Sequence, residues 1–295
     1  MDKFLIIDGN ALMHRAWHAL PPLTAPDGRA VNAVYGFLSV FIKMIKDIQP
    51  QYISITFDTK AKVFRSDEYP EYKAGRTKQP DEFYQQFDIL KQILTDFKII
   101  SLEKDGYEAD DIIGTIAYQL SSLPTPPEIV IVTSDFDLLQ LINQHVKVVL
   151  LKKGISETVV YDEDAMQEKY GFSPTEFVDF KALKGDASDN IPGVKGVGEK
   201  TAQELIKNFG SIERIYNQEL DASTMDYDRP IPTRIQKLLW QYKNEAFLSK
   251  KLATIIRDVP IEFNIWTCSF KGFDIHTAEK IFLKFGFRTL ITRLG

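Results

Sequence analysis

Acidic side chains dominate the part of this sequence able to do chemistry. Three apolar, β-branched runs each close on aspartate: FLIID at Asp8, YISITFD at Asp58 and EIVIVTSDFD at Asp135 and Asp137. In GYEADDIIGTIAYQL, Glu108 and Asp111 are three apart on a predicted helix and face the same way, with Asp110 beside them. GDASDN repeats that spacing with Asp186 and Asp189. Taken singly, each has an ordinary reading as a turn residue, an N-cap or an acid favouring a helix N-terminus. Nine carboxylates in one cleft would repel one another unless cations lay between them. Oxygen-only donors select hard ions, Mg²⁺ or Mn²⁺. More acids than one ion needs point to two ions about 4 Å apart, the arrangement that hydrolyses phosphodiesters. The histidines (His14, His18, His145, His276) are scattered and show no zinc spacing, so they read as surface or packing residues.

GVKGVGEKTA, just after Asp189, offers a grip on an anion. Gly193, Gly196 and Gly198 permit a tight turn with exposed backbone N–H groups, and a helix follows whose buried face is Ala202, Leu205, Ile206 and Phe209, closed by Gly210. Its N-terminus, flanked by Lys195 and Lys200, suits a DNA phosphate, which it would read without regard to base sequence. The bland alternative is a helix hairpin. A nucleotide P-loop fits poorly, since GxxxxGK[ST] is absent and no strand leads into the turn.

The strand-like runs alternate with helical patterns over Val31 to Ile48 and Phe83 to Phe97, which predicts a mostly parallel sheet covered on both faces. Ligands of such sheets bind beyond the carboxyl ends of the strands, where Asp8, Asp58, Asp135 and Asp137 would gather. Ile112, Ile113, Ile116 and Leu120 would face the core. An α/β domain is expected over 1–171, with a hairpin around Lys153 and Gly154, and a mainly helical part over 172–295. That part opens with SPTE at 173–176, a capping box with proline at the first helical position. NQELDASTMDYDRPIPT at 217–233 reads as a long surface loop.

Composition sets limits. The chain has 295 residues, 44% of them apolar, enough for one large or two ordinary cores. No apolar run approaches the ~20 residues of a membrane helix, and the N-terminus enters a strand-like run with no basic segment or cleavage site. With a single cysteine, Cys268, no internal disulfide forms, and a cytoplasmic, reducing setting is expected. A net charge of −5 argues against holding nucleic acid by bulk electrostatics. Setting the nine clustered acids aside turns −5 into +4 for everything else. DNA binding should then be salt-sensitive with a modest slope.

DGNALMHRAWHALPPLTAPDGRAVNAVYGF at 8–37, EYKAGR at 71–76, EADD at 108–111, TSDFDLLQL at 133–141 and GDASDNIPGVKGVGEKTA at 185–202 together resemble the bacterial 5′ nuclease family. That family includes the N-terminal 5′ to 3′ exonuclease domain of DNA polymerase I and the phage flap endonucleases. The motifs run in order over nearly the whole chain, and the GDxSDNxPGVxGxGxKTA block is the most specific. The resemblance implies a PIN-like α/β sheet, a helical arch over about 60–96, and a helix-three-turn-helix element at about 181–210 that grips duplex DNA with a K⁺ held by loop carbonyls. It implies that Asp8, Asp58, Glu108, Asp110, Asp111 and Asp135 hold a first metal ion directly or through water, with Asp137, Asp186 and Asp189 toward a second.

By composition, KAKVFRSDEYPEYKAGRTKQPDE at 60–82 is a solvated basic loop; the resemblance makes it part of the arch under which a single strand passes. Tyr72 would stack on a base, and Lys73 and Arg76 would stabilise charge on the scissile phosphate. Catalysis is thus expected from Lys73, Arg76 and Asp111, and DNA contact from Arg15, Tyr72, Lys73, Arg76, Gly193, Lys195, Gly196, Gly198, Lys200 and Thr201. Phe136 departs from the pattern, since polymerase-linked members usually carry Lys or Arg there. The implied activity is a Mg²⁺-dependent, structure-selective 5′ nuclease acting as a monomer on 5′ flaps, nicked or branched DNA and RNA–DNA primers, with a DNA polymerase as partner and no membrane. Three other readings share some of its features: a PIN-class ribonuclease, a relative that holds DNA junctions without cutting, and a haloacid-type transferase or phosphatase using TSDFD.

Overall fold

A computed structural model of the chain describes residues 1–218 and 231–294, so most of the surface loop expected over 217–233 lies outside the described residues. The chain opens with β1 (Lys3–Asp8), buried after Lys3, and turns at once into α1 (Gly9–Ala19). Then come α2 (Asn32–Ile48), β2 (Tyr52–Thr56), the short α3 (Phe64–Glu68), α4 (Asp81–Asp96), β3 (Ile100–Leu102), α5 (Ala109–Ser121) and β4 (Glu128–Thr133). The expected hairpin is β5 (Val146–Lys153) with β6 (Glu157–Tyr161), followed by α6 (Glu163–Tyr170). The longer elements that follow among the described residues are helices: α7 (Phe177–Lys184), α8 (Glu199–Phe209), α9 (Ile212–Gln218), α10 (Thr233–Gln241), α11 (Lys243–Ala253), α12 (Ile275–Phe285) and α13 (Arg288–Ile291), with 254–274 mostly without regular structure. Among the described residues no helix is long and apolar enough to cross a membrane.

One six-stranded sheet, in the order β3-β2-β1-β4-β5-β6, is parallel throughout except for the β5–β6 pair. β3 carried no signal in the sequence, being three half-buried or exposed residues after an amphipathic helix. Connections from β1 run first toward β2 and β3, then cross to β4 on the other side, so the strand order reverses between β1 and β4. That switch point is where an open parallel sheet leaves a crevice. The register pairs Asp8 with Thr56 and Ile7 with Val132, which brings the ends of β1, β2 and β4 level.

Alternation along the strands divides the core. Leu5 and Ile7 face the layer of α1, α2 and α4; Phe4 and Ile6 face α5, and that core continues without a break through α7, α8 and α9. Ile112, Ile113, Ile116 and Leu120 of α5 are all buried in it. The expected division at 171/172 is therefore not a division of packing. α12 and α13 return to the opposite face: Phe282 packs edge-on to Phe97 at 5.9 Å, and the hydroxyls of Tyr35 and Thr289 are 2.8 Å apart.

The helical part opens as the capping box requires, Ser173 N–H donating to Glu176 Oε2 at 2.7 Å over a single turn at Pro174–Glu176. Between α7 and α8, residues 185–198 fold back on themselves. Gly193 has φ +60°, and a Cβ there would lie 2.4 Å from the backbone nitrogen of Gly185, while its own N–H donates to the buried Ser249 hydroxyl at 2.9 Å. Gly193→Ala is therefore expected to destabilise the chain by about 2–4 kcal/mol, combining left-handed strain with a backbone clash. A urea-unfolding midpoint equal to that of the unsubstituted chain would contradict this packing.

Candidate active site

At the carboxyl ends of the strands, beside the β1/β4 switch point, lies a cleft of about 900 Å³. Seven of the nine acids singled out in the sequence line it: Asp8, Asp58, Glu108, Asp110, Asp135, Asp137 and Asp186. Backbone geometry sets each in place. Asp8 caps α1, accepting from Ala11 N–H at 2.9 Å, and its other oxygen accepts from the Thr133 hydroxyl at 2.8 Å. The same hydroxyl accepts from Asp135 N–H at 2.9 Å, so one threonine ties the ends of β1 and β4 together. Asp58 accepts from Ala109 N–H at 2.7 Å, and Asp135 from Asp137 N–H at 2.8 Å.

Two acids lie outside the cleft. Asp111 is fully buried and faces Arg65, whose two terminal nitrogens each donate to it at 2.7 Å; it also accepts from Glu108 N–H at 3.1 Å and Ile256 N–H at 2.9 Å. Glu108 and Asp111 are thus not a helical pair facing one way into the cleft. They are the N-cap and third residue of α5 and cap one another. A role for Asp111 at the reacting centre does not fit this placement, since its oxygens are spent on structure. Asp189 is held by Arg76 at 2.5 Å and lies 3.7 Å from Lys73 Nζ.

The arch region departs from expectation. Over 60–96 only α4 is a helix of any length, and 69–76 form successive turns that pack down on the cleft rim. Tyr72 is 6% exposed and donates to Glu108 at 2.9 Å, so its ring is not presented to a base. Lys73 contacts the other Glu108 oxygen. Arg15 is likewise engaged, donating to the carbonyls of Leu151 and Lys152 at 3.2 and 3.4 Å, and Gly193's N–H is taken by Ser249. In contrast Lys195, Gly196, Gly198 and Lys200 are exposed, and Thr201 is half-buried at the start of α8. Gly210 ends that helix at φ +80°.

Several cleft residues escaped the sequence reading, Lys181 and His14 among them. Lys181 on α7 is buried and contacts both Asp137 and Asp186, the latter at 2.5 Å. A lysine among the apolar residues of FVDFKALK, five before Asp186, was the available signal. His14 lines the cleft with its ring against Phe83. Burial first, and then the charge of Arg76, lower its pKa to about 4, leaving it neutral.

The sequence profile of the 5′-3′ exonuclease N-terminal resolvase-like domain matches residues 3–171, and that of the 5′-3′ exonuclease C-terminal SAM fold matches 172–276. The chain belongs to the 5′-3′ exonuclease family. It is 39% identical to DNA polymerase I of Bacillus subtilis over 293 residues and 40% identical to that of Caldicellulosiruptor bescii over 295, each alignment covering 99% of this chain. Those matches take in 32% and 33% of the two polymerases, so the chain spans about a third of their length. In fold it is similar to T5 5′-exonuclease with divalent zinc bound (TM-score 0.66, 23% identity, 85% of this chain and 89% of that one). It is also similar to the catalytic core of Rad2 in complex with DNA substrate (TM-score 0.59, 14% identity, 96% and 87%).

In this exonuclease-family cleft the acids carry the electrostatic cost of their crowding. Asp8 is pushed up to about 7 by burial, against its hydrogen bonds from Ala11 and Thr133, with the charges of Asp135 and Asp58 adding to the rise. Asp137 also reaches about 7, where burial and then Asp135 outweigh Lys181. Asp110 is raised by burial and then by Asp135 and Asp8; Asp58 is raised by burial despite Ala109 N–H. Asp186 differs: burial would raise it, but Lys181 and Ser188 bring it down to about 2. As the side chains stand, no three described acids, histidines or cysteines are close enough together to hold an ion; Lys73 contacts Glu108, and Lys181 contacts Asp137 and Asp186. The donor chemistry nonetheless fits a hard divalent cation, being oxygen only, desolvated and mutually repulsive.

Two outcomes follow. Arg65→Met leaves Asp111 buried without its cation and takes from Glu108 one of two, Lys73 being the other, and is expected to cost about 3–5 kcal/mol in urea unfolding, much of it recovered by Arg65→Met with Asp111→Leu. Asp8 and Asp137 have folded-state pKa values above their ordinary 3.8, so the stability they contribute is complete below about 4 and lost as pH rises through about 7. In EDTA, stability should fall across that window by at most about 1.4 kcal/mol per pH unit for each group. Asp8→Asn should flatten the decline and a divalent cation should oppose it near pH ~7, both read from thermal midpoints. A midpoint that rises steadily across the window with EDTA present would contradict the assignment.

Proposed function

We propose that this chain is a structure-selective 5′ nuclease that hydrolyses DNA phosphodiesters at 5′ ends and 5′ flaps, and RNA–DNA primers by the same backbone recognition. The observation that carries this is the lining of one cleft by seven carboxylates, at the switch point of a sheet belonging to the exonuclease family. Asp8, Asp58, Glu108, Asp110 and Asp135 would hold one Mg²⁺, and Asp137 and Asp186 the other, with Mn²⁺ as a substitute. When bound, such a pair activates water and neutralises charge on the leaving oxygen.

The chain's own residues do the rest. Lys73 and Arg76 rest on Glu108 and Asp189, and each becomes available to a substrate phosphate once its carboxylate partner turns away. Lys181 holds Asp137 and Asp186 together. Asp111 acts through Arg65 to fix the start of α5, and Asp189 fixes Arg76. Exposed Lys195 and Lys200, with the amides of Gly196, Gly198 and Thr201, would grip duplex phosphates, and loop carbonyls there would take K⁺. The similarity to DNA polymerase I, of which the chain spans a third, makes a polymerase the natural partner, in the cytoplasm, with this chain as a monomer.

Cleavage of a 5′-labelled flap duplex tests the proposal. Mg²⁺ should release a short 5′ product, EDTA should abolish it, and Asp110→Asn with Asp135→Asn should lower the single-turnover rate on the order of a thousandfold, with the thermal midpoint retained or raised. Asp111→Asn should instead act chiefly on stability. Tight junction binding with no product in Mg²⁺ or Mn²⁺ would favour a non-cleaving relative.

A further inference from the structure

Five lysines and arginines line the cleft, and four have carboxylate partners. Lys73 contacts Glu108, Arg76 lies 2.5 Å from Asp189, Lys181 bridges Asp137 and Asp186, and Lys184 lies 3.3 Å from Glu199. Lys169, in the last turn of α6, is exposed and, alone among these five, makes no salt bridge to a described residue.

Aromatic rings hold Lys169 instead. Its ammonium is 4.7 Å from the ring centroid of Tyr170, 4.9 Å from that of Tyr161 and 5.3 Å from that of Phe136, and it donates to the Tyr161 hydroxyl at 2.8 Å. Ring faces and a phenol oxygen stabilise a cation without cancelling its charge. Partial burial favours the neutral amine, but the hydrogen bonds to Tyr161 and Tyr170 raise the pKa overall, so the group stays charged. The cage also restricts a side chain whose rotamers would otherwise have to be ordered on binding. Phe136, 44% exposed, stands between Asp135 and Asp137 and carries the cage to the acid wall. A polyanion approaching seven carboxylates is repelled, and a positive group paired with an acid must first give up that partner before it can meet a phosphate.

We propose that Lys169 is the backbone-phosphate anchor for nucleic acid entering this cleft, with Phe136 as the positioning residue that aims it past Asp135 and Asp137. This rests on the nuclease reading only in taking nucleic acid as the cleft's ligand.

The test is equilibrium binding of a 5′-flap duplex by fluorescence anisotropy across a NaCl titration, with Ca²⁺ present. Lys169→Ala should weaken binding roughly five- to tenfold and reduce the steepness of log K against log salt by about 1, the signature of one lost phosphate contact. Lys169→Arg should keep the slope. Phe136→Ala should keep the slope while weakening binding severalfold, since the charge remains but is no longer held. Equal affinity and slope for Lys169→Ala and the unsubstituted chain would overturn the proposal, as would a loss of affinity with no change in slope. Cleavage of the same duplex in Mg²⁺ separates the two readings. A changed slope with no product leaves the anchor standing and removes the nuclease reading; product with an unchanged slope does the reverse.

Discussion

Like charges gathered in a desolvated place are the constraint that organises this molecule. Parallel strands that end level bring Asp8, Asp58 and Asp135 to one point, and the reversal of strand order between β1 and β4 opens a crevice there. Burial and mutual repulsion raise Asp8, Asp110 and Asp137 together. The surrounding structure contains this with cations: Lys73 and Arg76 come from the 69–76 turns, and Lys181 from α7. Oxygen donors kept under such repulsion form a site whose relief is a hard cation.

Acids at the rim of the cleft and beyond it also join elements. Asp111 and Glu108 receive Arg65 of α3, and Arg65 also donates to the carbonyls of Leu252 and Thr254 at 2.9 and 2.8 Å. One guanidinium therefore joins the segment after β2, the start of α5 and the end of α11. Asp189 similarly ties the turn before α8 to residues 72–76. Elements from both ends of the chain are thereby anchored to the rim of one cleft, so movement of the 69–76 turns is coupled electrostatically to the acids beneath them. The shared core from α5 through α9 fixes the helical part against the sheet in the same way.

β3 apart, the sheet with its mostly parallel sense, the capping box at Ser173 and the acids at or just beyond strand ends were legible in the sequence. Those are local matters: side-chain period, turn chemistry and capping act over a few residues and leave a readable pattern. Only the tertiary structure decided what each acid faces. Asp110 and Asp111 are neighbours in sequence, yet one lines the cleft and the other is enclosed by Arg65, because successive helical residues point about 100° apart and the partner comes from 46 residues away. Tyr72, exposed by composition, is buried in a cluster with Ile191, Leu252 and Ala253, and its hydroxyl reaches Glu108. Lys181, a lysine in an apolar helix by pattern, becomes the cation between two acids. Such assignments depend on long-range approach and on which charge is left uncompensated, and neither is written in the spacing of residues along the chain.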